Sequence, residues 1–278
     1  MSKIDRLKNQ PNREDVLSYV WLLTERNDCF STPQINVIQA SLTRLRDENT
    51  DVHTFRYHVG NLTDYLLQAI LKPKIKKIKV LTPLKKRTDG FDLETPVAIF
   101  FINRAGLTMG LSAARFLPYG TPIGEFDVLR DEKTLEGILE NYNLPPDVSG
   151  RKILILDPMN ATGGSIECVW KIIDQEYRQK RQQKFAGVYI ANIISAPFGV
   201  FEVKKAIPEA EIFTVVLDDH LTRPGETKFP SGYIVPGLGD AGDRQFGEGR
   251  SELFLGAQKM LKSFVNFNSR SRIRLIKS

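Results

Sequence analysis

The part of the chain that most constrains its fold is the segment 153–165, which reads Ile-Leu-Ile-Leu-Asp-Pro-Met-Asn-Ala-Thr-Gly-Gly-Ser. Its first four residues are all apolar, which predicts a strand buried on both faces of a parallel sheet. Asp157 follows that strand, at the edge where open α/β sheets bind their ligands. Gly163 and Gly164 let backbone amides approach an anion, and the helix expected after them turns its positive end toward the same point. The segment therefore predicts an anion site beside a carboxylate.

Two interpretations of this glycine-rich turn remain open when it is taken alone. Gly-Gly-Ser fits a tight strand–helix corner as well as it fits a phosphate site. The larger context favours a site for a sugar phosphate, because Thr162 and Ser165 add hydroxyl donors and Asp157 adds an acceptor for sugar hydroxyls. The whole nonapeptide 157–165 resembles the phosphoribosyl pyrophosphate (PRPP) loop of uracil phosphoribosyltransferases.

A second segment, residues 233–244, reads Tyr-Ile-Val-Pro-Gly-Leu-Gly-Asp-Ala-Gly-Asp-Arg and resembles the uracil-binding signature of the same family. Residues 237–242 also fit the dinucleotide pattern G-x-G-x-x-G. That pattern requires a strand before it, a helix after it and a βαβ unit with a downstream acid, whereas the sequence after Gly242 is short and basic. We therefore interpret the glycines as an irregular loop whose amides and carbonyls contact the edge of a planar base.

Two further segments occur in the order expected for that family. Arg-Ala-Gly-Leu at 104–107 follows the apolar run 97–102, in the place of the family's pyrophosphate loop. Residues 130–136 resemble its Arg-Asp-Glu-Glu-Thr-Leu-Glu. Taken singly, Arg104 or Arg130 is more often the partner in a surface ion pair. Together with the two motifs, both become candidates for binding a diphosphate, because a guanidinium donates paired hydrogen bonds to phosphate oxygens. The resemblance covers residues 52–247.

This resemblance implies an α/β protein with the type I phosphoribosyltransferase fold, a mainly parallel sheet flanked by helices beneath a hood that includes residues 230–247. It implies an enzyme of pyrimidine salvage that joins uracil to PRPP and releases UMP and pyrophosphate. Positive charge develops on the ribose as its anomeric C–O bond breaks. The protein must therefore fix the base behind that carbon and stabilise the departing diphosphate. A homodimer or a higher homo-oligomer is implied as well, with an extended arm at residues 136–146.

By resemblance, Arg104 and Arg130 bind the leaving diphosphate, with Mg²⁺ bridging its oxygens. Asp157 contacts the ribose hydroxyls or the oxocarbenium face, and Asp240 contacts PRPP through the magnesium or its water shell. These four residues are the catalytic candidates, and residues 161–165 hold the 5′-phosphate. The PRPP loop as a whole comprises Asp157, Pro158, Met159, Asn160, Ala161, Thr162, Gly163, Gly164 and Ser165. The groups expected to frame uracil belong to Ile234, Gly239, Asp240 and Ala241.

Four positions near this site depart from the family pattern. Asn160 stands where leucine is usual, Thr108 replaces a glycine, Leu129 replaces a tyrosine and Phe198 replaces a glutamate. None of them removes a residue with an assigned role. They leave open an enzyme that acts on another base, and no residue-level match supports the GTP activation of some family members.

Composition excludes several other classes of protein. The chain of 278 residues is 41% hydrophobic and 26% charged, an ordinary balance for one substantial α/β core. Its apolar runs are strand-sized and its first residues lack the apolar core of a secretory signal, so neither a membrane span nor secretion is predicted. Cys29 and Cys168 cannot form a disulfide framework, and the three histidines show no zinc spacing. We expect a cytoplasmic protein without a metal cluster of its own.

The formal net charge of +6 is concentrated in two places. Residues 248–278 carry seven basic side chains against two acids, and a second basic cluster occupies residues 72–87. In the latter, lysines alternate with apolar residues, which predicts a strand with one solvated face. A solvated strand and a frayed tail would explain both clusters. The alternative is a surface for nucleic acid or another polyanion, which leaves open a regulatory or nucleic-acid-binding module of this fold.

The secondary-structure pattern predicts one catalytic domain, residues 51–247, with a helical extension at 1–50 and a basic extension at 248–278. A first helix should start at residues 12–15 and continue through Val16, Val20, Leu22 and Leu23, and a second should start at Ser31. Five strands that alternate with helices imply right-handed crossovers. The strands are expected at 97–102, 124–129, 153–156, 188–194 and 212–217. The remaining helices are expected at 54–71, 107–116, 164–177, 199–206 and 251–264.

Overall fold

A mainly parallel sheet forms the centre of the protein in a computed structural model, which describes residues 2–25, 29–72, 74–94, 96–131, 133–226, 230–247, 249 and 251–267. The helices are α1 (Lys3–Arg6), α2 (Arg13–Val16), α3 (Thr32–Arg46), α4 (Val52–Leu71), α5 (Leu107–Phe116), α6 (Gly164–Ile173), α7 (Pro197–Ala206), α8 (Ala241–Phe246) and α9 (Glu252–Phe267). The strands are β1 (Val20–Leu22), β2 (Lys74–Leu81), β3 (Arg87–Glu94), β4 (Val97–Asn103), β5 (Ile123–Arg130), β6 (Gly137–Asn143), β7 (Lys152–Leu156), β8 (Met159–Asn160), β9 (Gly187–Ser195), β10 (Glu211–Leu217), β11 (His220–Leu221) and β12 (Ile234–Val235).

Within the described residues, the main sheet has eight strands in the order β1-β10-β9-β7-β4-β5-β6, with β8 paired to β9. Its strand pairs are parallel except that β6 runs antiparallel to β5. The central strands are continuously apolar because both faces are covered, and all seven residues of β4 are buried. Phe101 packs with residues of α4 and α5, whereas its neighbour Phe100 packs with residues of α6 on the opposite face. Burial of each such side chain contributes roughly 1.5–3 kcal/mol.

The register of the strands brings several loops to one edge of the sheet. Phe101 of β4 lies opposite Leu156 of β7, which lies opposite Ala191 of β9. Asn103 at the end of β4 lies opposite Asp127 of β5. The loops after β4, β5 and β7 therefore leave the sheet side by side. After β10 the chain forms the hood, residues 218–226 and 230–247, in which β11 pairs antiparallel with β12.

The predicted fold class is confirmed, and most elements lie where the sequence places them. The five predicted strands correspond to β4, β5, β7, β9 and β10, and the helix predicted at 107–116 is α5. The helix predicted at 164–177 consists of α6 and a π-helical segment, Asp174–Lys180. Helix α3 begins at Thr32, with Ser31 as its N-cap as predicted, and Ser31 and Gln34 form a capping box. In α4, the apolar stripe that includes Phe55 and Leu62 is fully buried.

The helix predicted through Val16, Val20, Leu22 and Leu23 is wrong from Val20 onward. Helix α2 ends at Val16, a 3-10 helix follows at Leu17–Tyr19, and Val20–Leu22 then form β1, a parallel edge strand on β10. In β1, Val20 and Leu22 are buried while Trp21 is 53% exposed, which is the two-residue period of a strand. The four apolar residues therefore do not belong to one helix, although their spacing gave no sign of a boundary between them.

Within residues 136–146, where the extended arm is expected, Gly137–Asn143 form the largely exposed strand β6 at the edge of the main sheet. The strand predicted from the alternating lysines of residues 74–80 is confirmed. It is β2, which pairs with β3 along eight residues of each strand. This hairpin forms a separate two-stranded sheet, in which Ile75 and Phe91 are 64% and 61% exposed.

Helix α9 corresponds to the helix predicted at 251–264, and its Phe254 and Leu261 are buried in the core cluster that includes α5 residues. Five of the seven basic residues in the predicted tail, Arg250, Arg270, Arg272, Arg274 and Lys277, lie outside the described residues. In the part of the chain that is described, no helix has the length and apolarity needed to cross a membrane.

Candidate functional site

The carboxylate of Asp157 lies at the end of β7, as the sequence predicts. The Asp157 carbonyl accepts a hydrogen bond of 2.7 Å from the Asn192 side chain, which fixes the backbone there. The side chain is 8% exposed and accepts a hydrogen bond of 3.3 Å from the Met159 amide. Burial raises the pKa of Asp157 to about 7; the Met159 amide opposes this, and the Asp240 carboxylate adds to it. A buried carboxyl group that titrates near neutrality is typical of a functional site.

The glycine-rich turn is built by close approach of backbone to backbone. Gly163 has a φ of +74° and precedes α6, a conformation that side-chain-bearing residues rarely adopt. A Cβ on Gly164 would lie 2.7 Å from the Leu135 carbonyl oxygen, so only glycine fits there. The hydroxyl of Thr162 donates to the same carbonyl at 3.2 Å. The turn is therefore fixed against the loop between β5 and β6 while the positive end of α6 points into the cleft.

The two candidate arginines reach from the sheet to the opposite side of the cleft. Arg104 donates to the carbonyls of Gly247 and Gly249 at 2.9 and 2.6 Å and to the carboxylate of Asp243 at 2.7 Å. The peptide bond that precedes Arg104 is cis. Arg130 donates to the Ser231 carbonyl at 2.7 Å.

Arg130 also contacts the ring of a hood tyrosine. Its guanidinium carbon lies 5.6 Å from the centre of the Tyr233 ring and a nitrogen lies 3.3 Å from the Gly232 carbonyl oxygen. A guanidinium over an aromatic face is held by a cation–π attraction. Both candidate arginines therefore bridge the two walls of the cleft.

The hood loop is anchored by side chains from distant parts of the chain. Asp218 is buried and accepts hydrogen bonds from the Gly237 amide at 2.9 Å and from both terminal nitrogens of Arg46. Arg46 also donates to the Gly237 carbonyl at 2.9 Å. Arg244 donates to carbonyls at the end of α3 and to the Leu238 carbonyl at 2.8 Å. Helix α3 thereby fixes the loop that carries the predicted base-binding residues.

Two adjoining cavities lie between these walls. A cavity of about 460 Å³ is lined by Arg104, Arg130, Asp157, Asp240 and the loop residues 159–165. A smaller one of about 180 Å³ is lined by hood residues 230–234 and 238–240. Both are lined by Arg130, Met159, Ala161 and Asp240. The loop 157–165 and the hood segment 233–244 therefore face each other across one cleft.

Two of the predicted site residues do not line either of these cavities. The carbonyl of Pro158 faces β9, where it accepts from the amides of Ile193 and Ile194, both at 3.0 Å. Ala241 is fully buried as the first residue of α8, and its carbonyl accepts from the Gln245 side chain at 2.8 Å. Their positions support the neighbouring backbone instead of contacting the cleft.

Several lining residues were not predicted from the sequence. Asn103 donates to the carboxylate of Asp127 at 2.8 Å, and both line the larger cavity beside Glu140. Asp127 had a signal, because Glu125 and Asp127 alternate with apolar residues in a strand that ends at this edge. Phe254 of α9 also lines the larger cavity. Its sequence context gave no comparable signal, since α9 is an ordinary amphipathic helix.

The departures from the family pattern differ in their surroundings. Asn160 is 1% exposed, and within the described residues its side-chain amide has no hydrogen-bond partner. A Cβ on Gly199 would lie 2.5 Å from the Asn160 side-chain oxygen, so this glycine permits the contact between the loop and α7. Leu129 is half exposed at the rim of the larger cavity. Thr108 is in the first turn of α5, and Phe198 is buried in α7.

Comparisons with known proteins point to one family. The family model described as uracil phosphoribosyltransferase matches residues 32–248. A uracil phosphoribosyltransferase of Limosilactobacillus reuteri is 36% identical over 212 residues, which are 76% of this chain and 94% of that protein. One from Dictyoglomus turgidum is 33% identical, with 76% and 95% covered. Among solved structures, the AQ2163 protein from Aquifex aeolicus superposes with a TM-score of 0.67 at 27% identity, covering 83% of this chain and 99% of its own.

Proposed function

The chain belongs to the uracil phosphoribosyltransferase family, and from that premise we propose that it transfers the phosphoribosyl group of PRPP to uracil, giving UMP and pyrophosphate. The observation that carries the proposal is the single cleft, with the PRPP-like loop on one wall and the uracil-binding signature on the other. Transfer between two bound substrates requires such an arrangement, because the attacking nitrogen and the anomeric carbon must be held in contact.

The 5′-phosphate binds at the turn, residues 161–165. Residues 161–165 and the start of α6 line the larger cavity, so the amides of the turn and the positive end of α6 lie close to the phosphate, and Ser165 adds a hydroxyl. The ribose then lies above Asp157. Its carboxylate accepts from the ribose hydroxyls or faces the developing oxocarbenium ion, where a negative charge stabilises the transition state.

Departure of the diphosphate is stabilised by Arg104 and Arg130. In the structure their donors are occupied by hood carbonyls and by Asp243. PRPP must therefore displace these contacts. Its charged phosphate oxygens bind a guanidinium more strongly than neutral carbonyl oxygens do. No residue of the cleft needs to act as a covalent nucleophile.

Uracil occupies the smaller cavity. Ile234, Gly239 and Asp240 contribute to its lining, and backbone groups of the hood pair with the oxygens and nitrogens of the base. Tyr233 and Leu238 supply apolar surface for the ring. Ala241 is buried behind the cavity lining, where it fixes the start of α8.

Magnesium fits this site as a partner of PRPP. Among the described residues no group of three or more His, Cys, Asp or Glu side chains could hold an ion by itself. Asp157 and Asp240 both line the larger cavity, and one or two carboxylates together with substrate phosphates are the usual surroundings of Mg²⁺. The ion would be held mainly through PRPP, with Asp240 contacting it directly or through its water shell, and its charge would neutralise the diphosphate.

The resemblance also leads us to propose a homodimer that works in the cytoplasm, with residues 51–247 as the catalytic domain and 1–50 and 248–278 as extensions. The exposed apolar residues Ile75 and Phe91 on the β2–β3 hairpin are consistent with contact to a second copy. Light scattering of the purified chain should give twice the monomer mass, and Phe91→Lys should reduce it to that of one chain.

The test of the function is a competition among bases. Purified protein receives PRPP, Mg²⁺ and equal concentrations of uracil, cytosine, adenine, guanine and hypoxanthine. We expect UMP as the product, formed together with an equal amount of pyrophosphate. Another nucleotide as the main product would refute the base assignment. Absence of turnover with every base would refute the enzymatic function.

A further inference from the structure

Residues 2–13, which we call the N-terminal strap, lie outside the part of the chain that the family model matches. The strap nevertheless contacts both parts of the site. Near its start, Lys3 reaches the phosphate turn. Further along, the side-chain amide of Gln10 donates to the Leu221 carbonyl and accepts from the Leu221 amide, both at 2.8 Å. Leu221 belongs to β11, which pairs with the strand that carries Ile234.

Lys3 is 5% exposed, which is unusual for a lysine. Its ammonium group donates to the carbonyl of Thr162 at 3.1 Å and to the carboxylate of Glu167 at 2.7 Å. Thr162 belongs to the turn proposed to bind the 5′-phosphate, and Glu167 lies in the first turn of α6. A strap residue thus contacts the phosphate turn from behind.

Arg6, one helical turn further along the strap, pairs with a second buried carboxylate, which belongs to α7. It donates to the carboxylate of Glu202 at 2.5 Å, and Glu202 is 6% exposed. Its guanidinium carbon lies 5.9 Å from the centre of the Phe198 ring. Phe198 is the residue that replaces the glutamate usual in the family, so this departure lies directly against the strap.

Glu167 and Glu202 place two carboxylates close behind an anion site. A Cβ on Gly163 would lie 3.3 Å from both the Glu167 carboxylate oxygen and the Glu202 Cβ. The pKa of Glu167 is raised overall, mainly by burial and also by Glu202. Lys3 and Lys171 of the same helix act in the opposite direction. If these carboxylates were charged and unpaired, they would oppose the binding of a phosphate, because charges interact strongly where little water intervenes.

We propose that Lys3 and Arg6 are positioning residues for PRPP. By pairing with Glu167 and Glu202 and holding the Thr162 carbonyl, they keep the turn in its binding conformation and cancel negative charge behind the 5′-phosphate. This inference rests on the proposed function of the turn, and it assigns to residues outside the matched region a role in substrate affinity.

The test compares Lys3→Met with Lys8→Met, an exposed lysine of the same strap. Isothermal titration calorimetry measures binding of PRPP with Mg²⁺, and steady-state rates are measured as well. Lys3→Met keeps most of the aliphatic length but removes the charge. We expect it to weaken PRPP binding about tenfold, with kcat and the KM for uracil changed by less than about threefold. Lys8→Met should match the unmodified chain.

A second variant separates charge from packing. In Lys3→Met/Glu167→Gln the buried carboxylate is neutralised, so no unpaired charge remains behind the turn. We expect PRPP affinity to return to within about threefold of the unmodified chain. This variant also keeps the test decisive if Lys3→Met alone fails to fold.

The outcomes distinguish this inference from the function on which it rests. Unchanged PRPP affinity in Lys3→Met would overturn the inference, and so would a double variant that folds but binds PRPP as weakly as Lys3→Met. An unmodified chain that binds PRPP but does not transfer it to uracil would overturn the proposed function instead, and the comparison of affinities would still decide the role of Lys3.

Discussion

The two walls of the cleft are built in different ways. The phosphate wall is nearly continuous in sequence, since the end of β7, the turn and the start of α6 supply it within residues 156–166. The hood wall is held by contacts between residues that lie far apart in the chain, such as those of Arg46 with Gly237 and of Arg244 with Leu45. The phosphate wall is held rigid by its own continuous backbone. The hood wall depends on contacts with distant side chains, and those contacts can change. We therefore expect changes in the phosphate wall to affect chemistry and changes in the hood anchors to affect base binding.

The largest effect is expected at Asp157. Replacing it by Asn keeps the shape and removes the negative charge that faces the ribose. Loss of one preorganised charge at a transition state costs about 10²-fold or more in kcat. Dissociation constants for PRPP and uracil should change by less than about tenfold. A kcat within fivefold of the unmodified chain would show that Asp157 does not stabilise the transition state.

Arg104→Ala should follow, with kcat/KM for PRPP lowered about 10²-fold, because the leaving diphosphate loses a charged donor. The KM for uracil should change little. Arg115→Ala is the matched control, since Arg115 is exposed and pairs with Asp64 away from the cleft. Equal losses in the two variants would mean that general charge, not the position of Arg104, explains the effect.

The hood alone should respond to Arg46→Met. This change leaves the buried Asp218 without its cation and loosens the loop at Gly237. We expect the KM for uracil to rise about tenfold, since a loop that must be ordered on binding lowers affinity. The affinity for PRPP should stay within about threefold. The exposed Arg44 on the same helix provides the comparison, and Arg44→Met should leave both constants unchanged.

The smallest effect is expected on stability as a function of pH. The pKa of Asp157 is about 7 in the folded chain and its ordinary value is 3.8, so the folded state binds a proton that the unfolded state releases. The stabilisation from this proton is fully present below about pH 4 and is lost as the pH rises to about 7. Asp157→Asn should therefore be more stable than the unmodified chain by about 1–3 kcal/mol at pH 8, with a smaller difference at pH 5.

Urea unfolding of both chains at the two pH values measures this difference. Asp147→Asn provides a control of opposite sign. Hydrogen bonds from the Ser149 amide lower the pKa of Asp147, so its stabilising effect is present at high pH and declines as the pH falls. A difference between Asp157→Asn and the unmodified chain that does not vary with pH would contradict the assignment of the raised pKa.

The difference between the phosphate wall and the hood wall also explains which features could be predicted from the sequence. The phosphate wall follows from local rules, since an apolar run, an acid and two glycines determine a strand, a corner and a helix start. The central strands and helices were predicted for the same reason. Two contacts between α3 and the hood could not be predicted. Arg46 donates to the Gly237 carbonyl and Arg244 donates to the Leu45 carbonyl, and the partners in each pair are backbone carbonyls about two hundred residues away.

Errors occurred where short patterns are ambiguous. Val20 and Leu22 fit a helical stripe as well as a three-residue strand, and only pairing with β10 decides between them. The contacts of the strap with the phosphate turn were not predicted at all, because nothing in the sequence of residues 2–13 marks them as part of a site.

The most direct test of the account is a crystal structure of the chain with UMP, the product that spans both walls. We predict that its phosphate contacts the amides of residues 162–165 and that its base lies in the smaller cavity, beside Ile234 and Gly239. The result that would contradict the account is a phosphate bound away from the turn, or a base outside the hood. In either case the two walls would not form one substrate site.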